Sequence, residues 1–200
     1  GADGCQITIE AAEEIYKKIE KIDIFKEVLR ASFEKELECE KIQYISNDVY
    51  QKYLSCVLKE TVRSEEELDK SLSIIYTPLN GTGLVPVTDA LYKAGYQNVK
   101  IVEEQRNPDG EFPTCNYPSP EEPEAMQLGI LYAEKNNADL LIATDPDCDR
   151  VGIAVKNLQG NYKLLSGNEV GVLLFDYLCK ARLENNTMPK NPVLIKTIVT

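Results

Sequence analysis

Residues 138–150 read Ala138-Asp139-Leu140-Leu141-Ile142-Ala143-Thr144-Asp145-Pro146-Asp147-Cys148-Asp149-Arg150, and the fold turns on them. The first half is a near-continuous apolar run, the pattern of a strand buried on both faces. The second half breaks that strand at Pro146 and sets three carboxylates at alternating positions. Open α/β sheets bind their ligands beyond the carboxyl ends of the strands, so an acidic loop directly after a core strand is a candidate site.

Working outward, Leu72 to Thr77 reads as a second short apolar strand. It is followed by Pro78, the turn Asn80-Gly81-Thr82-Gly83, and a helical pattern running to Gly95, which is placed as a C′ glycine. Val99 to Val102 reads as a strand. Pro108, Pro113, Pro118, Pro120 and Pro123 make 107–123 an extended loop ahead of a helix over 124–136. Val151 to Val155 and Tyr162 to Leu165 read as a hairpin turning near Gly160, a helix covers 168–183, and a last strand starts at Val193. Upstream, Ala12, Ile15, Ile19 and Ile22 make 9–25 an amphipathic helix, and 26–41 reads as either helix or connector. A helix over 47–61 carries Val49, Tyr53, Cys56 and Val57 on one face, and 63–70 reads as a solvated charged stretch. Tyr16, Tyr53 and Tyr92 read as core or boundary packing. The alternation of strands and helices predicts a layered α/β domain with a mixed, largely parallel sheet flanked by helices.

Composition narrows the function. The 200 residues are 43% hydrophobic and 28% charged, which is globular usage. With 22 basic against 33 acidic residues the net charge is −11, which disfavours nucleic acid and anionic membrane surfaces as partners. Histidine is absent, which excludes Cys/His zinc sites and Ser-His-Asp triads within this chain. Six cysteines without a C-x-x-C pair read as reduced thiols, and no apolar run approaches the ~18 residues of a membrane span. The expectation is a soluble, cytoplasmic protein. The chain opens without Met and closes on the β-rich run 194–200, which reads as a fragment of something longer.

Three carboxylates ~4 Å apart repel by roughly 4 kcal/mol per pair at an effective dielectric near 20, so a fold holds them together only if a cation compensates or they splay into water. Oxygen-only ligands suit Mg²⁺ or Mn²⁺, with Ca²⁺ possible. An EF-hand fails, because its Gly and Glu positions hold Arg150 and Lys156. A haloacid-dehalogenase-type phosphatase wants D-x-D-x-[TV], and the fifth position here is Asp149. The plain reading of Arg150 is a salt bridge to its own aspartates. Cys148 reads as a small filler. Asn80-Gly81-Thr82-Gly83 reads as a tight strand-to-helix turn before it reads as a phosphate cradle.

The whole string Ala143 to Gly152 resembles the metal-binding loop of the α-D-phosphohexomutases, the phosphoglucomutase/phosphomannomutase superfamily, whose loop reads D-G/P-D-G/A-D-R. Other stretches are similar to that family in the same order: Asp3 to Thr8 to D-G-A-Q-I-T, Tyr76 to Gly83 to T-P-L-H-G-V-G, and Phe112-Pro113 with Pro118-Ser119-Pro120-Glu121 to F-P-x(n)-P-N-P-E. Leu165 to Glu169 is similar to L-T-G-N-Q, and 196–200 to the strand opening the third domain. The resemblance implies a four-domain enzyme interconverting sugar 1- and 6-phosphates through a phosphoserine in domain 1 and a bisphosphorylated intermediate. It implies Mg²⁺ held by Asp145, Asp147 and Asp149, with Asp149 and Arg150 near the bound sugar bisphosphate. The family's phosphoserine loop, its domain 3 sugar loop and its domain 4 phosphate loop have no counterpart here. The chain is therefore expected to contain the tail of domain 1 (1–40), domain 2 (41–190) and the first strand of domain 3 (191–200), with no catalytic nucleophile and no turnover of its own. Two rivals stand beside this reading: a dehalogenase-type phosphatase with Asp145 as nucleophile, and a non-catalytic Ca²⁺-binding acidic module.

Overall fold

The computed structural model describes residues 4–63 and 68–195. The chain divides into two compact units, Gly1–Ser46 and Asn47–Thr200. In the first, Thr8 caps α1 (Ile9–Ile19) by accepting a hydrogen bond from the Ala11 amide at 3.4 Å, and α2 (Phe33–Glu38) occupies part of the stretch left open between helix and connector. α1 ends at Ile19, short of Phe25, and neither helix buries a residue. The expected apolar stripe of Ile15, Ile19 and Ile22 is there but exposed, because two helices this short offer no second layer to cover it.

The second unit runs α3 (Asn47–Lys59), β1 (Ile74–Thr77), α4 (Leu84–Lys93), β2 (Val99–Ile101), a 3₁₀ turn (Glu103–Gln105), α5 (Pro123–Asn136), β3 (Leu140–Thr144), β4 (Val151–Lys156), β5 (Tyr162–Leu165) and α6 (Gly167–Glu184). The sheet order is β2-β1-β3-β4-β5. β2, β1 and β3 are parallel, and β4 and β5 add an antiparallel edge. The mixed sheet follows from the connections: the strands joined through α4 and α5 are parallel, whereas β4 and β5 follow β3 through short loops that force antiparallel pairing.

Register builds the core in rows. Ile75 pairs with Leu141, Leu141 with Ala154, and Ala154 with Leu164, so four apolar side chains cross the sheet on one face. Ala125, Met126 and Ala133 of α5 complete the buried cluster above them. α5 lies close because Gly129 faces Leu141, where a Cβ would meet the Leu141 Cδ1 at 2.8 Å. α5 ends at Asn137 in the left-handed conformation, and α4 is followed by Gly95 at φ +96°, as its place in the sequence predicts.

Several expectations are corrected. α3 buries Leu54, flanked by the half-buried Tyr50 and Leu58, whereas Val49, Tyr53 and Val57 face outward. The two faces are about equally apolar, and the one that Tyr50 joins to Asp89 of α4, at 2.7 Å, is the one that packs. Tyr16, Tyr53 and Tyr92 are exposed, and the buried tyrosine is Tyr76. The charged run 63–70 is anchored at its described ends: Arg63 lies over the Tyr177 ring and pairs with Glu184 at 3.2 Å, and Lys70 lies over Tyr96. Val193 to Ile195 form no strand, and the rest of that expected strand, 196–200, falls outside the described residues.

Candidate metal centre

β1 sends the chain through α4 to β2 on one side, and α5 returns it to β3 on the other. Neighbouring loops therefore diverge at the carboxyl ends of β1 and β3, which is where open α/β sheets form their ligand crevice. The two loops that meet there are 78–83, after β1, and 145–150, after β3. The Thr82 amide donates to the Pro146 carbonyl at 2.8 Å. Contact is so close that a Cβ on Gly81 would lie 2.3 Å from the Pro146 Cα. A Cβ on Gly83 would meet the Tyr76 hydroxyl at 2.5 Å and the Thr144 hydroxyl at 2.6 Å, two groups that are themselves hydrogen-bonded at 2.8 Å beneath the loops.

The loop 78–83 is a turn and not an open cradle. Its Asn80 and Gly81 amides donate to the Gln105 and Pro78 carbonyls. Asn80, at φ +57°, donates its side-chain amide to the Glu104 and Asn107 carbonyls, so it ties β1 to the segment after β2. In the acidic loop, Cys148 takes φ +65° and its amide donates to the Asp145 carbonyl. That left-handed residue turns the chain back between Asp147 and Asp149.

One carboxylate oxygen from each of Asp145, Asp147 and Asp149 lies within 4.8 Å of the others, and among the described residues no other acidic, Cys or His triplet gathers this way. Asp145 is buried and the other two are exposed. Burial works against ionisation of Asp145, but the Arg150 amide (2.9 Å) and guanidinium Nε (2.9 Å) outweigh it and hold the carboxyl below its usual range. Asp149 goes the other way: the charge of Asp147 first, then slight desolvation and the charge of Asp145, push its carboxyl up. Arg150 Nε also lies 3.8 Å from Asp149. The salt-bridge reading of Arg150 is thus realised, and it anchors Asp145 while offsetting only part of the repulsion on Asp149. Asp145 is a fixed, ionised donor, and the charge repulsion that remains is what a cation relieves. An all-oxygen set of three carboxylates fits a hard divalent ion.

Residues 51–160 match the family model for phosphoglucomutase/phosphomannomutase, alpha/beta/alpha domain II. The chain belongs to the phosphoglucomutase/phosphomannomutase family. A phosphoglucomutase from Staphylococcus saprophyticus is 37% identical over 198 residues, covering 98% of this chain and 35% of the relative. A probable phosphomannomutase from Haemophilus influenzae is 39% identical over 136 residues, 68% of this chain and 27% of the relative. The solved structure of a phosphoglucomutase/phosphomannomutase family protein from Burkholderia thailandensis shares the fold, with a TM-score of 0.59 at 22% identity over 90% of this chain and 33% of that one. The chain spans about a third of the length of these relatives. The acidic loop, the turn after β1 and the proline-rich loop all fall inside the matched domain II segment.

The residues that shape the centre were less visible in the sequence than those that fill it. Gly81 and Gly83 signal only a turn, and Gly152 enters only as the end of the string that resembles the family loop, yet a Cβ on Gly152 would lie 2.1 Å from the Pro120 carbonyl oxygen. That contact brings the proline-rich loop against the start of β4. No helix among the described residues is long and apolar enough to cross a membrane.

Proposed function

We propose that this chain is the metal-binding domain of a Mg²⁺-dependent sugar-phosphate mutase that interconverts 1- and 6-phosphates by phosphoryl transfer through a phosphoserine carried elsewhere in the full-length protein. The observation that carries the proposal is the triad Asp145, Asp147 and Asp149, gathered at the crevice of a family-matched domain. These three would hold the ion, which when bound supplies charge stabilisation for a transferring phosphoryl group. Arg150 fixes Asp145 through two hydrogen bonds and presents a half-exposed guanidinium to a phosphoryl oxygen. Asp149 and Arg150 would face the sugar phosphate. The chain carries no catalytic nucleophile in this reading, so alone it does not turn over substrate. The proposed organisation is 1–40 from domain 1, 41–190 as domain 2 and 191–200 opening domain 3, in a cytoplasmic enzyme.

A thermal melt with ~10 mM Mg²⁺, with Ca²⁺ as comparison, tests the centre. With a dissociation constant near 1 mM, linkage gives about 1.4 kcal/mol, a rise of roughly 3–6 °C. A larger rise with Ca²⁺ would favour the acidic-module reading, and Mg²⁺-dependent hydrolysis of p-nitrophenyl phosphate by this chain would favour a phosphatase. No rise with either ion would remove the preformed centre.

A further inference from the structure

The proline-rich loop before α5 bears on the metal loop at one further point. Ser119 sits between Pro118 and Pro120, is 3% exposed, and its hydroxyl accepts a hydrogen bond from Arg150 Nη1 at 3.3 Å. Its backbone is committed on both sides: its amide donates to the Tyr117 carbonyl at 2.8 Å, and its carbonyl accepts from the Glu122 amide at 3.0 Å. Pro120 is pressed onto Gly152, two residues beyond Arg150. The hydroxyl is therefore delivered by a segment with little freedom to move.

We infer that Ser119 is a positioning residue for Arg150. Asp145 grips the guanidinium at Nε and Ser119 grips it at Nη1, and two anchors fix the orientation of a planar fork where one leaves it free to swing. Among the described residues no hydrogen bond engages Nη2, so the fixed guanidinium keeps that nitrogen's N–H donors for an anion. The choice of serine fits the role, because a neutral hydroxyl orients the guanidinium without adding a fourth negative charge. That anion-facing role rests on the function proposed above, whereas the clamping of Arg150 by Ser119 does not.

The test compares wild type with Ser119→Ala and Ser119→Thr in the whole chain. The Arg150 Nε–Hε signal is followed by NMR and identified by its loss in Arg150→Lys. Loss of an anchoring hydrogen bond of ordinary strength should speed its exchange with water roughly three- to tenfold in Ser119→Ala, and threonine should restore it. Inorganic phosphate binding in ~10 mM Mg²⁺ should weaken over the same range. A melting temperature close to wild type shows that packing is kept, and Ser119→Cys, similar in size with a weak acceptor, reads the same signal should alanine fail to fold. Unchanged exchange in a folded Ser119→Ala overturns the inference. Wild type that binds no phosphate, with faster exchange in Ser119→Ala, overturns the anion-facing role of Arg150 and leaves the clamp standing.

Discussion

Substituting Gly81 by Ala probes the joint on which the candidate centre depends. The new methyl would lie 2.3 Å from the Pro146 Cα, 2.5 Å from its carbonyl oxygen and 2.7 Å from its carbonyl carbon. Ordinary carbon–carbon contact is ~3.5–4.0 Å, so the loops 78–83 and 145–150 must part by more than about 1 Å. All three obstructing atoms are backbone, and no side-chain rotation relieves them. Overpacking of this kind costs about 1–3 kcal/mol, which lowers the melting temperature by roughly 2–12 °C for a chain of this size. The displacement also exceeds the ~0.2 Å tolerance of metal–ligand distances, so the Mg²⁺-induced rise should vanish. Gly171→Ala is the matched control: it lies inside α6 with nothing within 4 Å of its would-be Cβ. Alanine there should stabilise by about 0.5–1 kcal/mol through helix propensity and leave the Mg²⁺ response intact. Differential scanning calorimetry of both variants with and without Mg²⁺ is the assay. A Gly81→Ala protein that melts within a degree of wild type and keeps its Mg²⁺ shift would refute the close joint between the loops.

Asp147→Asn should abolish the Mg²⁺-dependent rise while the melt in EDTA stays at or slightly above wild type, because Asp147 is exposed and its charge repels Asp149; a retained rise would remove it from the ligand set. Leu54→Ala should cost about 2–5 kcal/mol, whereas Val57→Ala, one turn on and 39% exposed, should cost less than about 1 kcal/mol, as read by urea unfolding. At the start of α6, Ser166 and Glu169 form a capping box, so Ser166→Ala should cost about 1 kcal/mol. Glu169 has its carboxyl lowered from 4.5 to about 2, chiefly by Lys163 and then by Ser166. A lowered folded-state value stabilises above the unfolded value, so the advantage of wild type over Glu169→Gln should be fully present above pH 4.5. That advantage should fade as the pH falls from 4.5 towards 2, and a gap independent of pH would contradict the assignment.

The sequence carried the elements of the second unit closely, because each has a local cause. Leu140 to Thr144 is an apolar run, Gly95 ends α4, and the prolines of 107–123 forbid a regular element before α5. Sequence was a poorer guide to which faces are covered. Val49, Tyr53 and Val57 make as good a stripe as Tyr50, Leu54 and Leu58, and nothing local to α3 chooses between them; the choice belongs to α4, which offers Asp89 to Tyr50. Ile15, Ile19 and Ile22 repeat the lesson in the first unit, where an amphipathic pattern stays exposed.

The candidate centre divides in the same way. Chain order alone put Asp145, Asp147, Asp149 and Arg150 together, because a hexapeptide cannot scatter its own side chains, and carboxylates at alternating positions already state the donor chemistry. Their difference in burial and the grip of Arg150 on Asp145 are fixed by how that loop folds onto the sheet, and the contacts of Gly81 with Pro146, Gly152 with Pro120 and Ser119 with Arg150 join residues 31 to 65 positions apart. Such pairs leave no local pattern, since a glycine required by a distant backbone looks the same in sequence as a glycine required by a turn. Only the gathering of the loops after β1 and β3 and the proline-rich loop at the carboxyl ends of the central strands decides between them.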